Sequence, residues 1–382
     1  MRICLYTSTA LPKVGGQELV VDTLARQFTA LGQDVTVMAP RHRHLEPDDA
    51  RLPYPVVRHP RFLSTRRFVA WYRRWLQELY YWNRFDVLHC HDVYPTGYLA
   101  ALCRQDLAAP IVITSHGGDV REGNVRLAKP GLPARHTLAL QSADALIAIS
   151  NFTRDGFLRL HAGAKNIVSI PNGVDLSLFT QQVARPGGLD PTIRSDEFVL
   201  FIGRLHVRKG VDVLLEAMRQ LRPSGGVQLV IAGDGDERPA LEAQAAQAGL
   251  TARVRFLGST TGQAKIWLLQ NARVVAVPSR TWESFGLVVL EGYAAGRPVI
   301  ASTLPGMQEL IQHGRTGLLV APESPRQLAA AVERLLRDRA LARRMGEAAR
   351  VVASTYSWEA IARKHIELYQ RLRGNKQRSL AA

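Results

Sequence analysis

Short apolar runs alternate with amphipathic stretches along nearly the whole chain. Arg2–Thr7, Asp34–Ala39, Asp86–His89, Ile111–Ser115 and Ala145–Ile149 have the length of buried strands and are bounded by Pro, Gly or polar turns. Between them, Gln17–Leu31, Thr65–Asn83, Thr96–Gln105 and Arg135–Ser142 carry apolar positions at helical spacing. Strands separated by helices imply a parallel sheet, because parallel neighbours need a crossover connection, and the helices then cover both faces.

The pattern then restarts. Pro186–Pro191 is punctuated and aperiodic, as a linker is. Beyond it, Glu197–Ile202, Val227–Ala232, Val254–Leu257, Val274–Val277 and Pro298–Ala301 predict strands, and Val211–Leu221, Glu237–Gly249 and Leu287–Ala295 predict helices. The expected fold class is α/β, with two tandem doubly wound Rossmann-like domains over residues 1–180 and 195–357. In such sheets ligands bind beyond the carboxyl ends of the strands. Two facing domains would put those strand-end loops across one central cleft. A last periodic helix, Trp358–Leu372, is followed by a polar tail, Gly374–Ala382, expected to fray.

Length and composition narrow the function class. A chain of 382 residues fits two domains, and 46% hydrophobic with 21% charged residues can bury sizeable cores. No apolar run reaches the roughly 18 residues of a membrane span, and the start reads as a strand without signal-peptide features. The expected location is the cytoplasm, or the inner face of the cytoplasmic membrane as a peripheral protein. Cys4, Cys90 and Cys103 lack metal-ligand spacing and support neither a disulfide framework nor a zinc site. The formal charge of +16 favours anionic partners: a phosphorylated ligand, an acidic membrane surface or nucleic acid. Because 42 of the 49 basic residues are Arg, residue usage accounts for the total equally well, and local clustering has to decide.

Several strand-end loops carry candidate chemistry. Gly15 and Gly16, in Pro12–Glu18, allow close backbone approach to a ligand before a helix N-terminus, although G-x-G-x-x-G is absent. Phe201–Gly210 places Arg204 and Lys209 at a strand's carboxyl end. Arg grips two oxygens and Lys supplies a compact charge, yet two such cations equally suit a solvated surface. In Pro278–Gly292, Glu283 precedes a helix and Glu291 lies inside it. A helix starting near Phe285 would aim the amides of Phe285, Gly286 and Leu287 at a pyrophosphate. Glu283 would then meet sugar hydroxyls and Glu291, about two turns down, a ribose. The plainer alternative is that Glu283 caps the helix and Glu291 pairs with a Lys or Arg. Among Val288, Val289, Leu290 and Tyr293 its carboxylate needs a specific partner. His116, in Ser115–Asp119, ends another strand beside glycines, and Thr303–Glu309 forms a Gly-containing turn at a further strand end.

Together, Gly15-Gly16, His116-Gly117, Pro171–Asp175, Gly203-Arg204 with Lys209-Gly210, Ala232–Gly235, Glu283-x7-Glu291 and Ala295–Ala301 resemble glycosyltransferase family 4, in order and over nearly the whole chain. The resemblance implies the GT-B fold and retaining transfer of a hexosyl group from a UDP- or GDP-linked sugar. It also implies no metal and no cofactor, and a C-terminal helix, 358–373, that packs back on the first domain. Position by position, it makes Arg204 and Lys209 the groups that hold the donor diphosphate and stabilise the leaving group. Glu283 would contact the donor sugar's hydroxyls, Glu291 would bind the ribose, and His116 would lie near the reacting sugar. Gly15-Gly16 would approach the phosphates. The Pro305-Gly306 turn departs from the family's more usual Gly-Gly.

Residues 51–84 carry eight Arg, one acidic residue and nine of the 27 aromatic residues: Tyr54, Phe62, Phe68, Trp71, Tyr72, Trp75, Tyr80, Tyr81 and Trp82. Over Thr65–Asn83, Phe68, Tyr72, Trp75, Leu79 and Trp82 share one helical face. Basic and aromatic residues together suit an anionic membrane surface, or a helix packing its stripe on the sheet with Arg in solvent. Nucleic acid is set aside because no recognition motif is present. The expected activity is extension of a lipid-linked or cell-envelope glycan. A soluble small-molecule or sugar-phosphate acceptor, or a non-catalytic sugar-nucleotide-binding protein, is the alternative. The same fold also serves epimerases and phosphorylases.

Overall fold

The computed structural model describes residues 1–13, 15–42, 48–61, 66–161, 163–221 and 227–381, and within them the chain divides into two compact units. The first comprises Met1–Asn172 with Trp358–Ala382; the second is Gly173–Ser357.

In the first unit the strands are β1 (Arg2–Tyr6), β2 (Asp34–Pro40), β3 (Val56–His59), β4 (Val87–Cys90), β5 (Ile111–Ser115), β6 (Ala145–Ala148) and β7 (Ile167–Ser169). They form one sheet in the order β3-β2-β1-β4-β5-β6-β7, every neighbouring pair parallel. The order reverses direction at β1, so crossovers run on both faces and the central strands are buried on both sides. The second unit repeats the plan with β8 (Phe198–Ile202), β9 (Gln228–Ala232), β10 (Val254–Gly258), β11 (Val274–Val277), β12 (Val299–Ser302) and β13 (Gly317–Val320), in the order β10-β9-β8-β11-β12-β13. This is the two-domain doubly wound α/β architecture expected from the alternation of patterns.

Some expectations shift. The helix expected over Thr96–Gln105 is a wide turn, Val93–Gly97, followed by a short helix, Tyr98–Leu102. Thr65 and Phe62 lie outside the described residues. The first unit ends at Asn172 rather than at 180, because Val174 donates its N–H to Tyr356 O at 2.8 Å and bridges Ser357, which ties it to the second unit.

The C-terminal helix runs over Trp358–Ala381, so the segment expected to fray is helical through Ala381. Its polar end has partners: Lys376 donates to Ala109 O at 3.2 Å, and Arg373 lies 3.4 Å from Asp86. Further up, Tyr369 is fully buried, donates or accepts at His89 Nδ1 over 2.6 Å, and meets Phe28 edge-on. This helix is therefore part of the first unit's core.

The aromatic stripe of the helix Arg66–Asn83 splits in two. Tyr72 and Leu76 are buried with Cys4, Tyr6 and Cys90, and Phe68, Trp75, Leu79 and Tyr80 pack half-buried against them. Trp82 does not join its expected face-mates: it is 79% exposed, and Tyr81 and Trp71 are exposed as well.

Candidate functional site

In the second unit the site is built at the carboxyl ends of β8 and β11. After β8 the chain passes Gly203 and Arg204, makes one tight helical turn over Val207–Lys209 and reaches Gly210 in the left-handed region at φ +66°. A Cβ at Gly210 would sit 2.1 Å from Pro278 O, so only glycine allows this loop to abut the one leaving β11. That approach delivers Lys209 to Glu283. A second close approach comes from the loop after β12, where a Cβ at Gly306 would lie 2.4 Å from Glu283 O.

Glu283 is buried, and its Oε1 is surrounded by donors. Lys209 Nζ forms an ion pair with it, Ser279 Oγ donates at 2.6 Å, and Arg208 lies at 3.5 Å. Arg208 also donates to Trp282 O at 2.9 Å and stacks over the Trp282 ring, 4.3 Å from its centroid. Burial by itself would raise the Glu283 carboxyl. The charges of Lys209 and Arg208 and the hydrogen bonds from Lys209 and Ser279 outweigh it and hold the group below the usual carboxylate range. Glu283 is ionised at neutral pH.

The helix expected from Phe285 begins at Leu287. Gly286 is its N-cap in the left-handed region at φ +99°, and Phe285 is buried outside the helix, so neither contributes a helical amide. The open helical N–H groups start at Leu287 and Val288, since Val289 already bonds to Gly286 O. Glu291 is thus about one turn in, not two. Its Oε1 pairs with Lys265 Nζ at 2.5 Å, the plainer alternative for this residue, while its Oε2 is buried with no partner among the described residues. Glu283 caps no helix. Pro305-Gly306, expected as a turn, opens the short helix Pro305–Leu310.

Arg204 is exposed and lies 3.4 Å from an equally exposed Asp236, a pair worth little in water. The structure therefore brings together Lys209 and Glu283, with Arg208 and Ser279 around them. Glu291 sits in a separate ion pair, and Arg204 is directed elsewhere.

The first unit carries the remaining residues. His116 follows β5 and is half-buried; its Nε2 lies 3.2 Å from His91 Nδ1, with the two rings stacked at 15°. Burial pushes His116 down to about 4 and His91 well below the ordinary histidine range. The His116 loop is clamped by Asp119, which accepts from Ser115 Oγ and, at 2.6 Å, from Val93 N. Gly15 is the extended N-cap of the helix Gly16–Ala30 and offers no side chain to its first amides. A Cβ there would meet the Glu18 carboxylate at 2.6 Å, and that carboxylate is held by Thr9 at 2.5 Å and Lys13 at 3.2 Å. Among the described residues no group of three His, Cys, Asp or Glu side chains is arranged to hold a metal ion.

Sequence reading missed Arg208, Lys265, His91 and Glu18. Arg208 adjoins Lys209, and His91 follows its strand as His116 follows its own, so both were within reach of the same arguments, whereas nothing local ties Lys265 or Glu18 to a site.

Comparison with known proteins fits this geometry. The profile of Glycosyltransferase Family 4 matches residues 14–178, and that of Glycosyl transferases group 1 matches residues 191–352. The phosphatidyl-myo-inositol mannosyltransferase of Mycobacterium leprae is 31% identical over 97% of this chain and 96% of its own length. Sucrose-phosphate synthase from Thermosynechococcus elongatus superposes with a TM-score of 0.80 at 27% identity, covering 97% of this chain and 98% of that one. Anabaena HepE in complex with UDP gives a TM-score of 0.80 at 22% identity over 97% of this chain and all of its own, a likeness of fold.

Proposed function

The chain belongs to glycosyltransferase family 4 and has the GT-B fold, and from that premise we propose that it is a retaining hexosyltransferase. It takes the sugar from a nucleotide diphosphate donor and delivers it to an acceptor hydroxyl of a lipid-linked or cell-envelope glycan. The observation that carries this reading is the buried, ionised Glu283 held by Lys209 and Arg208 at the carboxyl ends of β8 and β11.

Glycosyl transfer passes through an oxocarbenium-like state while negative charge builds on the departing group. Fixed cations aimed at that charge stabilise it without reorganising at the moment of reaction. In this reading Arg204 and Lys209 hold the diphosphate and take up its charge, with no metal or other cofactor called on. The contacts described for Glu283 all fall on Oε1, so Oε2 is the oxygen available to a sugar hydroxyl. Glu291 offers its partnerless Oε2 to the ribose, and His116 contacts the reacting sugar. Gly15 and Gly16 approach the phosphates with their uncapped helix end, as Leu287 does with its own. Glu283 is not assigned as nucleophile: its charge is already committed to Lys209. The leaving phosphate deprotonates the acceptor on the same face, which retains configuration.

The lipid side of the proposal rests on the exposed Trp71, Tyr81 and Trp82, with Arg67, Arg73, Arg74 and Arg84 exposed on the same segment. Rings sit at headgroup level, and each Arg near an anionic surface adds about 1 kcal/mol. The mannosyltransferase relative is named for a lipid acceptor, and the Anabaena neighbour was seen with UDP. Among the described residues no helix is long and apolar enough to cross a membrane, so attachment would be peripheral.

The test supplies UDP- and GDP-hexoses with a lipid extract and EDTA, and follows nucleoside diphosphate release and the anomeric configuration of the product. Acceptor-dependent release with retained configuration is expected. Turnover that consumes inorganic phosphate instead would identify a phosphorylase. Flotation with no preference for anionic over neutral vesicles would remove the membrane part of the reading.

A further inference from the structure

His91 follows β4 and His116 follows the neighbouring strand β5, so the sheet itself sets their rings side by side. The His91 backbone is fixed at both ends: its N–H donates to Tyr6 O at 2.8 Å and its carbonyl accepts from Gln17 Nε2 at 2.8 Å. The ring is fully buried, with the His89 ring 4.2 Å away between centroids and the His116 ring 5.5 Å away. His91 Nδ1 meets His116 Nε2 at 3.2 Å, while His91 Nε2 is buried with no partner among the described residues. His89 cannot supply one, because Tyr369 at 2.6 Å and Thr114 at 2.7 Å occupy both of its nitrogens.

A neutral imidazole carries one N–H and one lone pair, so the contact between the rings has two possible polarities. If His116 donated through Nε2, His91 would carry its own proton on Nε2 and leave an N–H orphaned in the core. If His91 donates through Nδ1, the orphan is only a lone pair. Buried N–H groups without partners are the rarer and costlier defect.

We propose that His91 is a positioning residue that donates to His116 Nε2 and so confines the His116 proton to Nδ1. His116 then presents an N–H to its ligand, and its lone pair is turned into the protein. Resting on the reading of His116 as a residue at the reacting sugar, this makes it a hydrogen-bond donor to a sugar oxygen and not a general base. That division of labour matches deprotonation of the acceptor by the leaving phosphate.

The deciding experiment is a long-range proton–nitrogen correlation spectrum of the 15N-histidine-labelled full chain near pH 7.5, without ligand, assigned with His116→Ala. Both His91 and His116 are expected to show a protonated Nδ1 and a bare Nε2. A protonated Nε2 on either ring overturns the proposal. His91→Phe keeps an aromatic ring but removes the donor. It should release the His116 tautomer and lower kcat roughly tenfold, and His91→Asn, whose amide nitrogen stands near the Nδ1 position, should restore both. An unchanged His116 tautomer in a folded His91→Phe also overturns it. Should His91→Phe fail to fold, the wild-type spectrum alone decides. If the tautomers are as expected but His116→Ala keeps full turnover, it is the site assignment of His116 that falls, not the role of His91 toward it.

Discussion

Lys209 Nζ donates to Glu283 Oε1 across 74 positions of sequence, and the carboxylate that receives it is buried. Two glycines make the meeting possible, Gly210 against Pro278 and Gly306 against Glu283 itself. Desolvation and pairing are thus combined in one loop cluster: the acid stays charged in a place where an unpaired acid would not. This is the arrangement from which the catalytic reading proceeds.

Arg204→Ala, Lys209→Ala and Glu283→Ala are each expected to lower turnover at least tenfold, about 1.4 kcal/mol of barrier. Their stabilities should differ. Glu283→Ala leaves Lys209 and Arg208 without their shared acceptor and should cost about 1–3 kcal/mol, whereas Arg204→Ala removes only an exposed pair. Steady-state rates beside thermal melts check both statements, and near-normal rates in all three variants would contradict the site.

Gly210→Ala places a Cβ on Pro278 O in a backbone conformation that disfavours it. The loop must withdraw, taking Lys209 with it, so donor binding and melting temperature should fall together. Gly187→Ala is the control, because no atom of the described residues lies within 4 Å of its added carbon. Equal behaviour of the two variants would show that the close approach is not needed.

Acid should weaken the first unit. Burial holds His59, His89, His91, His116 and His365 below the ordinary histidine value, with His59, His116 and His365 at about 4. Neutral in the fold but protonated once unfolded, they give stability that is complete above about 6.5 and lost as pH falls toward 4. Asp92, raised by burial, works in the opposite direction at the acid end, and in the second unit Glu283, held low, adds a loss of its own there. Urea midpoints should drop steadily between pH 7 and pH 5, each such histidine contributing up to about 1.4 kcal/mol per pH unit. A flat midpoint would contradict neutral burial.

Tyr369→Phe should cost about 1–3 kcal/mol, because it strips a buried ring nitrogen of His89 of its partner. A chain ending at Ser357 would lose the whole helix over Phe28 and His89, and hydrogen exchange should then find the strands of the first unit unprotected. Retained protection would show the helix to be dispensable.

The interior strands could be read from sequence because burial on both faces writes a continuous apolar run. The three that went unread, β3, β7 and β13, are all edge strands. An edge strand pairs on one side only, so it can be short and mixed, as Val56–His59 and Ile167–Ser169 are. Helical periodicity placed Phe68, Tyr72, Trp75 and Leu79 on one face but could not tell that Trp82, near the helix end, stays exposed. At the site, residue types at strand ends were legible, since strand ends are where such sheets bind ligands. The partnerships were not. Lys209 with Glu283, Lys265 with Glu291 and His91 with His116 are made by strand order and loop contact, which no local pattern records.

The central claim, a nucleotide diphosphate held at Arg204 and Lys209, is tested most directly by thermal unfolding with UDP, GDP and ADP in the presence of EDTA. A ligand confined to the folded state adds about 2.7 kcal/mol at a hundredfold excess over its Kd. At least one of UDP and GDP should raise the melting temperature of the wild type, and the shift should vanish in Arg204→Ala, whose own fold is intact. No shift with any nucleotide, or a full shift retained in Arg204→Ala, would contradict the account.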